Sequence, residues 1–320
     1  MLSLIEGNSW GWGSPEILGL LATSAIFGGL FLFVESRVEA PIVQFEFLRN
    51  RDFVGALLVA FVISFSMLGM FFFMALYIQN ILGYSPLEAG VRFLPTTLVI
   101  MFVAPIAGRL TDRIGPRPLI VTGLGVVAVS LFMQSKIDGA SGYNDLLIPF
   151  ILMGFGIALT MSPMSTAAMN AVDTAKAGLA SGLLSMSRMV GGTFGVAALG
   201  AIFQAHGRSD LSDALAPIGV SSSTIDSLTE QLGSGGLSDS IAQLPPDQAQ
   251  QAGDAAREAF INALAGSVGI SAAVAAAGAV AAMFLISKKK PATPGAAAPA
   301  PDAPEPQQPA TPDLVGAAQR

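Results

Sequence analysis

The chain has 320 residues, 52% hydrophobic and only 12% charged, with a net charge of -6, one histidine and no cysteine. A soluble domain carries about a quarter charged residues, and the mean hydropathy here is +0.63, so the chain reads as a polytopic membrane protein. The missing cysteines and the lone His206 exclude disulfide frameworks, thiol nucleophiles, cysteine-based zinc sites and haem attachment, and no cofactor, metal or nucleic acid is expected.

A helix crossing about 30 Å of hydrocarbon needs about 20 mainly apolar residues. Seven stretches qualify: Ser14 to Val34, Phe53 to Ile81, Leu87 to Leu110, Pro118 to Met133, Leu146 to Ala171, Leu179 to Ala205 and Ala259 to Ile286. The fold class expected is therefore all-α. Pro86, Pro116 and Pro118 fall at ends, while Pro95, Pro105, Pro149 and Pro163 fall inside spans, where neighbouring helices must satisfy the freed carbonyls. No secretory signal is expected, because Met1 to Gly13 contains Glu6 and no Lys or Arg.

Basic residues near helix ends give the orientation. One set of connections carries Arg37, Arg49, Arg51, Arg109, Arg113, Arg117, Lys176 and Lys288 to Lys290, ten in all, against three (Lys136, Arg208 and Arg257) on the other side. The N-terminus is then outside and the C-terminus cytoplasmic. Residues 207–258 form a polar outer loop, with short amphipathic helices expected around Ile225 to Leu232 and after Pro246. The Pro/Ala-rich tail, 291–320, offers too little apolar surface to offset its ordering entropy and is expected to be disordered.

Setting the first span aside, the other six divide into two triplets, inverted relative to each other because each has an odd number of spans. Glu88-Ala-Gly90 opens the third span and Lys176-Ala-Gly178 the sixth, and each then carries one arginine, Arg92 or Arg188. Between the third and fourth spans lies Gly108-Arg109-Leu-Thr-Asp112-Arg113-Ile-Gly115-Pro-Arg117. Gly108 permits close backbone approach, Gly115 a turn at positive φ, and Asp112 can accept from an arginine or a helix N-terminus. Such a loop is either a topology signal or a charged conformational hinge.

This loop resembles the inner-loop signature of the major facilitator superfamily, in its C-terminal-half version. Pro41-Ile-Val-Gln-Phe-Glu-Phe-Leu-Arg-Asn-Arg-Asp-Phe53, Gly178-Leu-Ala-Ser-Gly182, Ser187-Arg-Met-Val-Gly-Gly-Thr-Phe-Gly195 and the Trp10-Gly-Trp12 approach to the first span are similar to fourteen-helix drug:proton antiporters of the QacA/EmrB type. The resemblance implies three parts: residues 1–52 as an outer stub, linker helix and inner connection, residues 53–290 as a six-helix half with a 3+3 inverted repeat, and the tail. It also implies a partner N-terminal half, protons, and small lipophilic or cationic substrates in a cell membrane. No Asp or Glu lies near the middle of any span, so a proton-carrying carboxylate is expected from that other half.

Arg188 falls about 15 Å into the membrane at 1.5 Å per residue from Gly178. It either lines a transport cavity or makes a structural ion pair, whereas Arg92, nearer an end, is expected to snorkel or cap helix ends. Gly178, Gly182, Gly191 and Gly195 make two small-xxx-small pairs for close helix packing. Phe61, Phe65 and Phe72, with Met67, make an adaptable apolar stripe suited either to a substrate pocket or to lipid. The functions left open are an efflux transporter working by alternating access and a non-transporting truncated or accessory membrane protein. An intramembrane enzyme lacks any nucleophile elbow, zinc motif or phosphate loop.

Overall fold

The computed structural model describes residues 13–35, 37, 47–218, 220–232 and 246–287, and every regular element among them is helical. Ser14 caps α1 (Pro15–Glu35) by accepting the Ile17 N–H at 3.2 Å. Asn50 caps α2 (Arg51–Leu76) by accepting the Asp52 N–H at 3.0 Å, and the helix ends in a wider π-helical turn over Tyr77–Ile81. A turn through Gly83, at φ +72°, leads to a capping box in which Ser85 and Glu88 satisfy each other's backbone N–H groups and start α3 (Pro86–Arg92). Pro95 has no N–H to continue the ladder, so the helix breaks at Phe93 and resumes as α4 (Leu94–Ile114).

Gly115, at φ +85°, is the single residue between α4 and α5 (Pro116–Gln134). The Asp145 carboxylate accepts the Gly142 N–H at 2.8 Å where α6 (Tyr143–Asn170) begins. α7 (Ala177–Leu215), α8 (Ser222–Leu232) and α9 (Pro246–Leu285) follow.

Six segments are long and apolar enough to span a membrane, Arg51–Ile81, Pro86–Ile114, Pro116–Gln134, Tyr143–Asn170, Thr174–Leu215 and Ala249–Leu285, joined by a shorter apolar stretch, Pro15–Leu30. The expected all-α polytopic fold is the observed one. The expected boundaries move in one region. α7 runs on past Ala205 to Leu215, and the helices expected around Ile225 to Leu232 and after Pro246 are present as α8 and as the start of α9, which continues unbroken into the last span, so much of the presumed loop 207–258 is helix. Leu211, Leu215, Ile225, Leu228, Leu232, Ala252 and Ala256 are buried together with the main core. Their helical spacing, which average polarity hides, makes these projections a cap over the bundle. Residues 233–245, Trp10, Trp12, Lys288 to Lys290 and the tail lie outside the described residues.

The packing has the symmetry of an inverted repeat. α2 packs on α7 and α6 on α4, α5 packs on α6 and α9 on α2, and α5 and α9 pack on each other. Exchanging α2 with α6, α4 with α7 and α5 with α9 preserves these pairings. One departure is the close α7–α9 pair, which has no equivalent between α4 and α5, because only α7 and α9 project together into the cap.

Hydrogen bonds repeat the relation: Thr96 of α4 donates to the Phe150 carbonyl of α6 at 3.0 Å, and Ser187 of α7 to the Leu57 carbonyl of α2 at 2.8 Å. These matched hydroxyls correct the sequence echo. Measured from them, Arg188 corresponds to Thr97 rather than Arg92, and Glu88-Ala-Gly90 and Lys176-Ala-Gly178 fall three residues out of register.

Candidate functional site

The bundle has a basic end, where α2, α5 and α7 start and α4, α6 and α9 finish, and an opposite end carrying the cap. Two clasps hold the basic end. Asn50 donates to the Ala171 carbonyl at 2.8 Å, and the Asp52 carboxylate accepts both the N–H and the hydroxyl of Ser287, at 2.5 and 2.9 Å. Asn50-x-Asp52 ahead of an apolar run signals a helix start, but nothing local in the sequence names partners more than a hundred residues away.

The spans differ sharply in how much they bury. In their most apolar stretches, 61% of α2 is buried inside the bundle, against 11% of α3–α4 and 28% of α7. On α4 the bare stripe includes Leu94, Leu98, Phe102 and Ile106 and runs into the charged loop, where Arg109, Asp112 and Arg113 are all exposed.

The expected loop is helical as far as Ile114, so the connection itself shrinks to Gly115 while Arg109, Asp112 and Arg113 stay exposed on the last turns of α4. Thr111 donates to the Ala107 carbonyl at 2.7 Å, and the Gly115 N–H closes the helix on the Thr111 carbonyl at 2.9 Å. Gly108 faces α6, where an added Cβ would stand 3.3 Å from the Ser162 hydroxyl. Arg117 is half-buried. Among the described residues one ion pair forms, Arg208 with Asp226 at 2.8 Å in the cap, so Asp112 has no basic partner there.

On α7 the two glycine pairs part company. A Cβ at Gly191 would meet the Phe61 carbonyl at 2.3 Å and one at Gly195 the Phe65 carbonyl at 2.4 Å, whereas Gly178 and Gly182 have nothing within 4 Å. Within the described bundle the close crossing is made at Gly191 and Gly195, while Gly178 and Gly182 sit with Met186 and Met189 on the bare face. Beside them the half-buried Arg188 donates to the Ser185 hydroxyl one turn back, at 3.2 Å.

The Phe stripe is likewise divided. Phe61 stacks on Phe65 and meets Phe194 of α7, each at 6.2 Å between centroids. Phe65 is buried, Met67 is half-buried against the core, and Phe72 is 44% exposed with its ring against Phe73. Phe61, Phe65 and Phe72 keep to one side of α2, because eleven residues make about three whole turns, but α7 covers that side at Phe61 and Phe65 and leaves it open at Phe72, and Met67 lies on another side.

Arg92 closes the helix break. Its guanidinium lies 3.3 Å from the centre of the Tyr84 ring and 5.3 Å from that of Tyr143, and it donates to the Glu88 carbonyl at 3.1 Å. Tyr143 in turn donates to the Arg92 carbonyl at 2.9 Å. Rather than snorkelling freely, Arg92 pins α3 to the start of α6 by cation–π and hydrogen-bond contacts. Sequence reasoning missed both tyrosines, since nothing local brings Tyr143 to the break.

A bundle of apolar helices in two inverted triplets is the arrangement met in membrane carriers built from inverted repeats. Residues 3–196 match the Major Facilitator Superfamily, and the chain belongs to that superfamily. It is 33% identical over 203 residues to the multidrug resistance protein Stp of Mycobacterium tuberculosis, covering 63% of this chain and 38% of that protein. Against the tetracenomycin C resistance and export protein of Streptomyces glaucescens it is 33% identical over 199 residues, covering 62% and 37%. Against the multidrug transporter protein MdtP of Bacillus subtilis it is 30% identical over 228 residues, covering 71% and 41%. The chain thus spans well under half the length of these relatives. Its family sets it among multi-pass membrane transporters and not among enzymes.

Proposed function

We propose that the chain acts as the C-terminal half of a multidrug efflux carrier, exporting small lipophilic or cationic compounds in exchange for protons by alternating access. It works with an N-terminal half, supplied by the same gene or by a separate chain. The observation that carries this reading is the pair of bare counterpart faces on α4 and α7, one ending in the unpaired Asp112 loop and the other bearing Arg188. An unpaired mid-depth arginine is costly in lipid and belongs against protein or a water-filled cavity. The relatives named for drug resistance and export support the substrate class. The described spans hold no mid-span carboxylate, so proton coupling falls to the partner half. The basic end faces the cytoplasm of a cell membrane, with the N-terminus outside. There the Gly108–Arg117 loop works as the conformational switch.

The test expresses the chain in a host lacking its own efflux pumps, alone and together with the N-terminal half of a Stp-type relative. Ethidium export is expected only from the pair and is expected to stop on adding a protonophore. Export by the chain alone, or export insensitive to the protonophore, overturns the reading.

A further inference from the structure

We propose that a cavity at the basic end, separate from the bare faces of α4 and α7, binds a phosphate-bearing anion, with an anionic lipid headgroup as its source. The cavity measures about 580 Å³ and is lined by Phe47, Arg49, Asn50, Lys176 and the end of α6 from Asn170 to Asp173. It lies between three chain segments that flank the apolar spans: the turn Phe47–Arg49 ahead of α2, the last residues of α6, and the turn Thr174–Lys176 ahead of α7. All three stand where hydrocarbon gives way to water, the level at which lipid phosphates sit.

The cavity is built before any ligand arrives. Asn50 bridges two of its walls through its bond to the Ala171 carbonyl, and Phe47, 5% exposed, is fixed against Phe53 with ring centres 5.5 Å apart. The Lys176 ammonium is held 5.7 Å from the Phe47 ring, and Arg49 is exposed at the rim. Neither cation has an ion-pair partner among the described residues, since Asp173 pairs with neither. The first N–H groups of α7 add partial positive charge beside Lys176. Two cations against the single carboxylate of Asp173 leave the cavity net positive over an apolar aromatic wall, which matches a phosphodiester whose other end is hydrocarbon, whereas a fully hydrated anion gains nothing from Phe47, Ala171 and Val172.

The test uses the full 320-residue chain in neutral detergent, with native mass spectrometry after mixing with phosphatidylglycerol, phosphatidylcholine or inorganic phosphate. One phosphatidylglycerol is expected to be retained in preference to phosphatidylcholine, and the double variant R49Q/K176Q is expected to weaken that binding about twentyfold. Displacement of the lipid by millimolar inorganic phosphate assigns the same site to a soluble phosphate instead. Should the double variant not fold, R49Q and K176Q singly, each expected to lose about fivefold, decide the matter. Equal retention of phosphatidylglycerol by the native chain and the folded variants overturns the proposal.

Discussion

α3–α4 and α7 occupy equivalent places in the two triplets, each donating a hydroxyl to its central helix and leaving its other face bare, yet they handle charge differently. α3–α4 breaks at Phe93, pins Arg92 between two tyrosines and keeps its other charges at its two ends, Glu88 at the start and Arg109, Asp112 and Arg113 at the basic end. α7 is unbroken for 39 residues and carries Arg188 on its half-exposed side with only Ser185 for company. The repeat dictates packing partners, because backbone approach and hydroxyl bonds are common to both triplets. It does not dictate where charge sits, and that is where the halves of the repeat have acquired separate work.

The largest test of this equivalence is steric. G191V sets a Cβ against the Phe61 carbonyl and G154V sets one 2.5 Å from the Thr96 carbonyl. Each is expected to cost about 3 kcal/mol, read as lost thermal stability of the chain in detergent, and a loss at only one site breaks the symmetry. The arginines should then separate. R188A is expected to lower export by the joined transporter about tenfold, equivalent to about 1.4 kcal/mol, with unchanged melting. R92A should instead lower stability by about 1–2 kcal/mol through its lost ring contacts and spare export. Normal export by R188A would remove it from the cavity.

Removing the matched hydroxyls with T96A and S187A is expected to cost about 0.6 kcal/mol each, and clearly unequal losses in urea or thermal titrations would count against a shared register. The smallest effect lies in the loop joining the triplets. Asp138 accepts from the Ser141 hydroxyl at 2.8 Å and the Ala140 N–H at 3.0 Å, and these bonds hold its carboxyl below the usual carboxylate range. A depressed folded value means that its contribution is present above pH of about 4 and is lost as pH falls through the folded value. Lower amide protection at Ala140, relative to its intrinsic exchange rate, is expected below that window in the native chain, and D138A, which removes the acceptor, should show low protection at every pH.

The spans, the inverted triplets and the charged loop were legible in the sequence because apolar run length, span parity and turn glycines are local signals. The cap was legible in part: the sequence predicts amphipathic helices around Ile225 to Leu232 and after Pro246 but not the run of α7 on to Leu215, because Leu211 and Leu215 lie at helical spacing within a polar average. The glycines of α7 show the same limit. Four look alike in spacing, but only the fold tells that Gly191 and Gly195 meet a backbone while Gly178 and Gly182 meet nothing. Arg92 and Arg188 looked paired until the hydroxyls supplied a three-dimensional register.

The one-residue joint at Gly115 has a mechanical consequence. A link that short passes on rotation but forbids sliding, so α4 can swing about its basic end only as a lever hinged on α5, which α6 and α9 hold in place. α7 enters through a 3₁₀ turn and is held along its length by α2 and α9 and, in the cap, by α8. The two counterpart helices thus differ in how they are anchored, one on a one-residue joint and the other built into the cap.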